Sequence, residues 1–258
     1  MYNKLNGGEN MANANFFEAA AAANAKQLCA ITVTLEKYTY FTLPRLECDY
    51  NFRLGGLESQ LERLRLDTDK LQKAIELKCE NQSLSKAEAM SQAEAFYAKR
   101  ESAVQHRREE YLTSLKMLQL PLPTENEINR ACELMENIIY KMDPLFSKVP
   151  KGFAKKLEQA HTDFKNVNIP ALALLDAATD DTHPVFTDAP REYARIYGEE
   201  INKKIAALKQ MQSRHPFDKT PLMTSPEKLD ARRADLTREI RTLKNYLSNL
   251  EKQLASLF

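Results

Sequence analysis

The chain has 258 residues and a mass of 29.5 kDa, enough to bury a sizeable core in one large or two modest domains. Hydrophobic residues make up 43% and charged residues 28%, a composition that excludes a disordered chain. With 37 Lys and Arg against 36 Asp and Glu, the net charge of +1 removes the simplest argument for a nucleic-acid or anionic-membrane partner.

Residues 1–10, MYNKLNGGEN, differ in character from the rest of the chain. Met11 opens Met-Ala-Asn-Ala-Asn, a candidate second start, and the codons for Gly7-Gly8-Glu9 can spell a purine-rich bacterial ribosome-binding sequence. Residues 1–10 therefore read as translated leader in a bacterial or phage gene, with a plain terminal tail as the alternative. Residues 12–27 are Ala-rich and predict a short helix, capped by Asn15 with Glu18 in its first turn. Together, residues 1–28 form a flexible leader and this helix.

Residues 29–43, CAITVTLEKYTYFTL, change pattern. Ile31, Val33 and Leu35 alternate with Thr32, Thr34 and Glu36, and β-branched and aromatic residues dominate. One or two strands are predicted within 29–51, ended by Pro44. A lone hairpin is unstable in water, so it must lie on the helices or pair with another chain. It could also be helical against its propensity.

From Phe52 the period becomes helical. Leu54, Leu57, Leu61, Leu64, Leu71 and Ile75 follow 3–4 spacing, with Thr68 in the polar slot. Asn81-Gln82-Ser83 breaks the helix, and Ser85 with Glu88 forms a capping box that opens a second one to about Leu120. The short linker predicts an antiparallel hairpin over 52–120, with arms about 45 Å long at 1.5 Å per residue. Residues 121–189 form a middle region of short helices. Thr124 and Glu127 box the first of these, which runs through Met142; 151–166 and the ALALLDAA run come next, and 179–189 is the clearest loop.

Asp188 and Pro190 open a helix carrying Ala194, Tyr197, Ile201 and Ile205. After a Pro-rich connector, Ser225-Pro226 starts the last helix. There Leu229, Leu236, Ile240, Leu243, Leu247, Leu250, Leu254 and Leu257 hold a strict 3–4 register, with Arg233 as the one charge in the seam. Residues 190–258 thus read as a second long helical hairpin. The fold class expected is mainly α: elongated antiparallel helical bundle or coiled-coil hairpins with a small β element near the N-terminus.

Chemistry-bearing motifs are sparse. The 6 glycines permit neither a Gly-x-Gly-x-x-Gly nor a Gly-x-x-x-x-Gly-Lys-Ser/Thr loop. Cysteines 29, 48, 79 and 132 form no Cys-x-x-Cys pair, so free thiols are expected. Glu158-x-x-His161 matches half of a di-iron bundle site, but no second Glu-x-x-His exists. Asp176, Asp180, Asp181 and His183 could bind a divalent ion or do acid–base work, although turn residues explain them more simply. Basic clusters occur at Lys99-Arg100 with His106-Arg107-Arg108, and at Arg232-Arg233, Arg238 and Arg241, interleaved with acids that suggest salt-bridged faces. Lys148, Lys151, Lys155 and Lys156 are the least compensated and are the candidate phosphate or acidic-partner contact.

No run of 18 apolar residues and no basic-then-apolar N-terminus is present, so no membrane span is expected and the cytoplasm is the default location. The function expected is a non-enzymatic structural, scaffold or adaptor protein working through helix–helix contacts, with a partner or by homo-oligomerisation, through the 229–257 seam, with the 29–43 strand edge as a second contact surface. No catalytic, cofactor or metal residue is assigned. The second reading is a nucleic-acid-associated or regulatory binding protein using the basic clusters. The third is an enzyme or metal site in the bundle or the 176–183 loop.

Overall fold

The computed structural model describes residues 5–143, 145–146, 152–179, 186 and 188–257, with side chains from residue 15 onward. The described chain is mainly helical and contains no strand. It divides into two compact units, residues 1–44 with 122–217, and residues 45–121 with 218–258.

The predicted β element is helical. Helix α1 spans Leu5–Lys37, a π-helical turn follows at Tyr38–Thr42, and α2 spans Leu43–Tyr50. The short Ala-rich helix expected at 12–27 is part of α1, and Asn15 lies inside it instead of capping it. Tertiary packing overrides the local period of two. Ala21, Ala25, Leu28, Cys29 and Val33 are buried at helical spacing, and no second strand is present among the described residues to pair with this one. The threonines that suggested a strand bond back along the helix: Thr32, Thr34 and Thr39 donate to the carbonyls of Leu28, Ala30 and Leu35, at 2.7, 2.8 and 2.8 Å. Pro44 does not stop the chain either. A proline lacks the N–H for the i−4 bond and its ring crowds that carbonyl. The π turn just before it, where the Leu43 N–H reaches back to the Tyr38 carbonyl, supplies a wider turn.

In the first unit, α1 packs on α5 (Glu125–Met142) and α8 (Pro190–Gln212), and α5 packs on α6 (Phe153–Lys165) and α7 (Ile169–Ala177). Thr124 and Glu127 cap α5 reciprocally, as their spacing predicts. Helix α5 buries Ile128, Ala131, Met135, Ile138 and Met142 along one face. Lys37 Nζ bonds Glu125 Oε1 at 2.7 Å, and Lys26 Nζ lies 5.9 Å from the Tyr140 ring, so α1 and α5 run antiparallel. The Arg191 guanidinium stands 5.7 Å from the Phe17 ring and Asn24 Nδ2 donates to the Ala194 carbonyl at 2.9 Å, so α1 and α8 run parallel. Tyr197 is buried among Phe146, Phe186 and Tyr193, and its hydroxyl donates to the Leu145 carbonyl at 2.7 Å.

In the second unit, α2 passes through another π turn, Asn51–Gly55, into α3 (Gly56–Glu80). The break at 81–83 and the Ser85–Glu88 capping box lead into α4 (Lys86–Met117). Ion pairs between Glu62 and Arg107 and between Asp69 and Arg100 show that α3 and α4 are antiparallel. A 3-10 turn at Phe217–Lys219 and the short α9 (Thr220–Met223) occupy the connector, and Ser225 caps α10 (Pro226–Ser256) by accepting from the Lys228 N–H. Helix α8 packs on α1 and α10 packs on α3, and the division between units falls in the connector, after Phe217.

Candidate interaction surfaces

Helix α10 carries the strongest pattern in the sequence, and α3 covers most of it. Leu229, Leu236, Ile240, Leu250 and Leu254 are buried, whereas Leu243, Leu247 and Leu257 are half-buried. Leu229, Leu236 and Ile240 share a core with Tyr50, Leu54 and Leu61. Leu250 and Leu254 share another with Ala74, Ile75, Ala89 and Ala93. Polar contacts flank this seam at seven-residue intervals. Glu58 pairs with Arg232 at 3.6 Å, Arg65 with Glu239 at 2.9 Å, and Gln72 Nε2 donates to the Tyr246 hydroxyl at 2.7 Å. A fixed offset repeated every heptad shows that α3 and α10 run parallel in constant register.

Arg233 lies at the edge of this seam, its side chain 43% exposed. Its Nε donates to the Arg53 carbonyl at 3.3 Å and its Nη1 is 3.6 Å from Asp230. Arg53 in turn donates to the Met223 carbonyl at 3.2 Å and pairs with Asp49 at 2.8 Å. The two guanidiniums thus tie the Asn51–Gly55 π turn to α9 and α10.

That π turn is the feature that sequence reasoning missed. Asn51 Nδ2 donates to Ser114 Oγ at 2.8 Å, and the Tyr50 hydroxyl donates to Glu58 Oε1 at 2.8 Å. A Cβ on Gly55 would stand 2.7 Å from Tyr111 Cδ2, and one on Gly56 would stand 3.1 Å from the Tyr111 hydroxyl. The close approach of α4 here needs Gly55, whereas a methyl at position 56 asks the Tyr111 hydroxyl to give only slightly. The available clue was an adjacent Gly-Gly inside a helical run that is otherwise poor in glycine.

Beyond this point α4 leaves the apolar core. Ala89, Ala93 and Ser114 are its buried residues, and the stretch between them is held to α3 by ion pairs. Glu101 bonds both Arg63 and Lys70, and Arg100 and Arg107 take Asp69 and Glu62. Phe96 is 68% exposed and Leu112 is 44% exposed. An open groove of about 510 Å³ runs along α3 and α4, lined by Gln60, Arg63 and Leu64 on one side and Val104, Arg108 and Leu112 on the other. Among the described residues, Arg108 pairs with no carboxylate.

The remaining candidates are dispersed. Lys155 and Lys156 are exposed on α6, with Lys156 Nζ 4.9 Å from the Phe153 ring. Lys148, Lys151, Asp180, Asp181 and His183 lie outside the described residues. Asp176 pairs with Lys141 at 2.8 Å. His161 takes its partner from α1, not from Glu158: its Nδ1 is 2.9 Å from Glu36 Oε1. The hydrogen bond to Glu36 raises the His161 pKa against the opposing effect of burial, and the charges of Glu36 and Asp143 add to the rise. Burial pushes the Cys29 thiol up to about 12 and the Cys132 thiol up to about 11. In the basic clusters, His106 lies 3.3 Å from Glu110, and Arg238 pairs with Asp235 at 3.2 Å. Among the described residues no group of three or more His, Cys, Asp or Glu side chains is placed to hold a metal ion. No described helix is long and apolar enough to cross a membrane.

Comparison with protein-family models, with curated proteins and with solved structures finds no match.

Proposed function

We propose that the chain is a non-enzymatic helical scaffold or adaptor that works through helix–helix contacts, with a protein partner or with a second copy of itself. The observation that carries this reading is the unequal use of apolar surface in the second unit. Helix α10 spends its heptad seam on α3 inside the chain. Helix α4 packs on α3 and leaves Phe96 and Leu112 open to solvent. Large side chains exposed on a helix whose middle stretch is held to α3 by ion pairs are the raw material of an interface. The seam therefore builds the scaffold, and α4 offers the contact surface.

Light scattering on the full chain over an about hundredfold range of concentration tests the self-association half of this reading. A discrete dimer or larger assembly that reverts to monomer in Phe96→Glu supports it. A constant monomer mass removes self-association and leaves a hetero-partner. Retention on DNA or RNA that weakens steeply with salt would favour the nucleic-acid reading instead.

A further inference from the structure

The α3–α4 groove has three properties that together specify an occupant. It is long: Gly56 to Leu64 on α3 and Val104 to Leu112 on α4 each cover about 12 Å at 1.5 Å per residue, a little over two helical turns. Its volume of about 510 Å³ falls in the range of about 300–1,000 Å³ typical of ligand sites. It is also amphipathic. Leu64, Val104, Tyr111 and Leu112 supply an apolar floor, and the charged side chains lining it are Arg63 and Arg108, with no carboxylate.

Arg63 is already shared with Asp67 and Glu101, whereas Arg108 is uncommitted among the described residues. A ridge of apolar side chains at i, i+4 and i+7 fits a groove between two helices. A carboxylate beside that ridge would meet Arg108. The amphipathic helices α5 and α10 bury their apolar faces within the chain, so a second copy has no free stripe of this kind to offer from them.

We propose that this groove is a docking site for an acidic amphipathic helix of a partner protein. The inference rests on the protein-contact reading above and names the surface and the chemistry of the partner.

The probe is a displayed library of amphipathic helical peptides of about 20 residues, with leucine at the ridge positions and Glu, Gln or Lys at the flanking ones. Selection is on the full chain, with Arg108→Glu as the control. Circular dichroism first establishes that this exposed substitution leaves the fold intact. The expected result is enrichment of Glu beside the ridge, with affinity falling about tenfold or more on Arg108→Glu. Binding should return when the peptide's Glu residues are exchanged for Lys. Leu112→Glu should abolish binding of both peptides.

Enriched peptides that bind wild type and Arg108→Glu equally would overturn the groove and leave the protein-contact reading in place. No enrichment over the control would overturn the groove, and no enrichment on any surface would count against both.

Discussion

Arg65 on α3 and Glu239 on α10 are separated by 174 residues, and their side chains meet at 2.9 Å. Gln72 and Tyr246 meet at the same separation one heptad further on, and Glu58 and Arg232 one heptad earlier. The register of the two helices is thereby fixed, but the energy lies elsewhere. Exposed ion pairs contribute about 0–1 kcal/mol, whereas a buried leucine contributes several. Leu236, 0% exposed, should cost about 2–5 kcal/mol as Leu236→Ala, and Arg65→Gln about 1 kcal/mol or less. Urea denaturation of the two variants checks the contrast.

Gly55→Ala carries an informative sign. An exposed helical Gly→Ala change is stabilising by about 0.5–1 kcal/mol. Here the added methyl meets Tyr111 Cδ2 at 2.7 Å, so the ring or α4 must move. We expect a loss of about 1–3 kcal/mol, the cost of overpacking. In a double-mutant cycle, Tyr111→Ala should remove that penalty and let the helix-propensity gain appear. A stabilised Gly55→Ala in the wild-type background would contradict the close approach.

His161 should give the first unit a pH dependence. Its folded pKa is raised above the unfolded value by Glu36, with Asp143 adding to the effect. The protonated imidazole therefore stabilises the fold fully below the unfolded pKa of about 6.5, and that contribution is lost as pH rises through the folded pKa. Melting temperature should fall as pH rises above the unfolded pKa of about 6.5, and His161→Gln should flatten that slope. The imidazole resonances of His161 should titrate with a midpoint above about 6.5.

The four cysteines should separate by exposure. Cys79 is exposed on the last turn of α3, whereas burial raises the thiol pKa of Cys29, Cys48 and Cys132. A thiol-reactive chromophore at about pH 8 should react quickly with Cys79 alone, and all four should react in denaturant. Fast labelling of Cys29 in the native protein would contradict the packing of α1 on α5.

The sequence by itself determined the helical class, the caps at Ser85, Thr124 and Ser225, and the apolar face of α10, because these depend on neighbours within a few residues. Three things depended on tertiary structure. Residues 29–43 alternate like a strand, yet the burial of Leu28, Cys29 and Val33 against α5 and its neighbours favours a helix. The period of a leucine seam states which side is apolar but not which helix will cover it, so the choice of α3 for α10 and of α1 for α8 waited on long-range contacts. The groove beside Arg108 arises from two helices held together by ion pairs across tens of residues of chain, and no local pattern records where such surfaces meet.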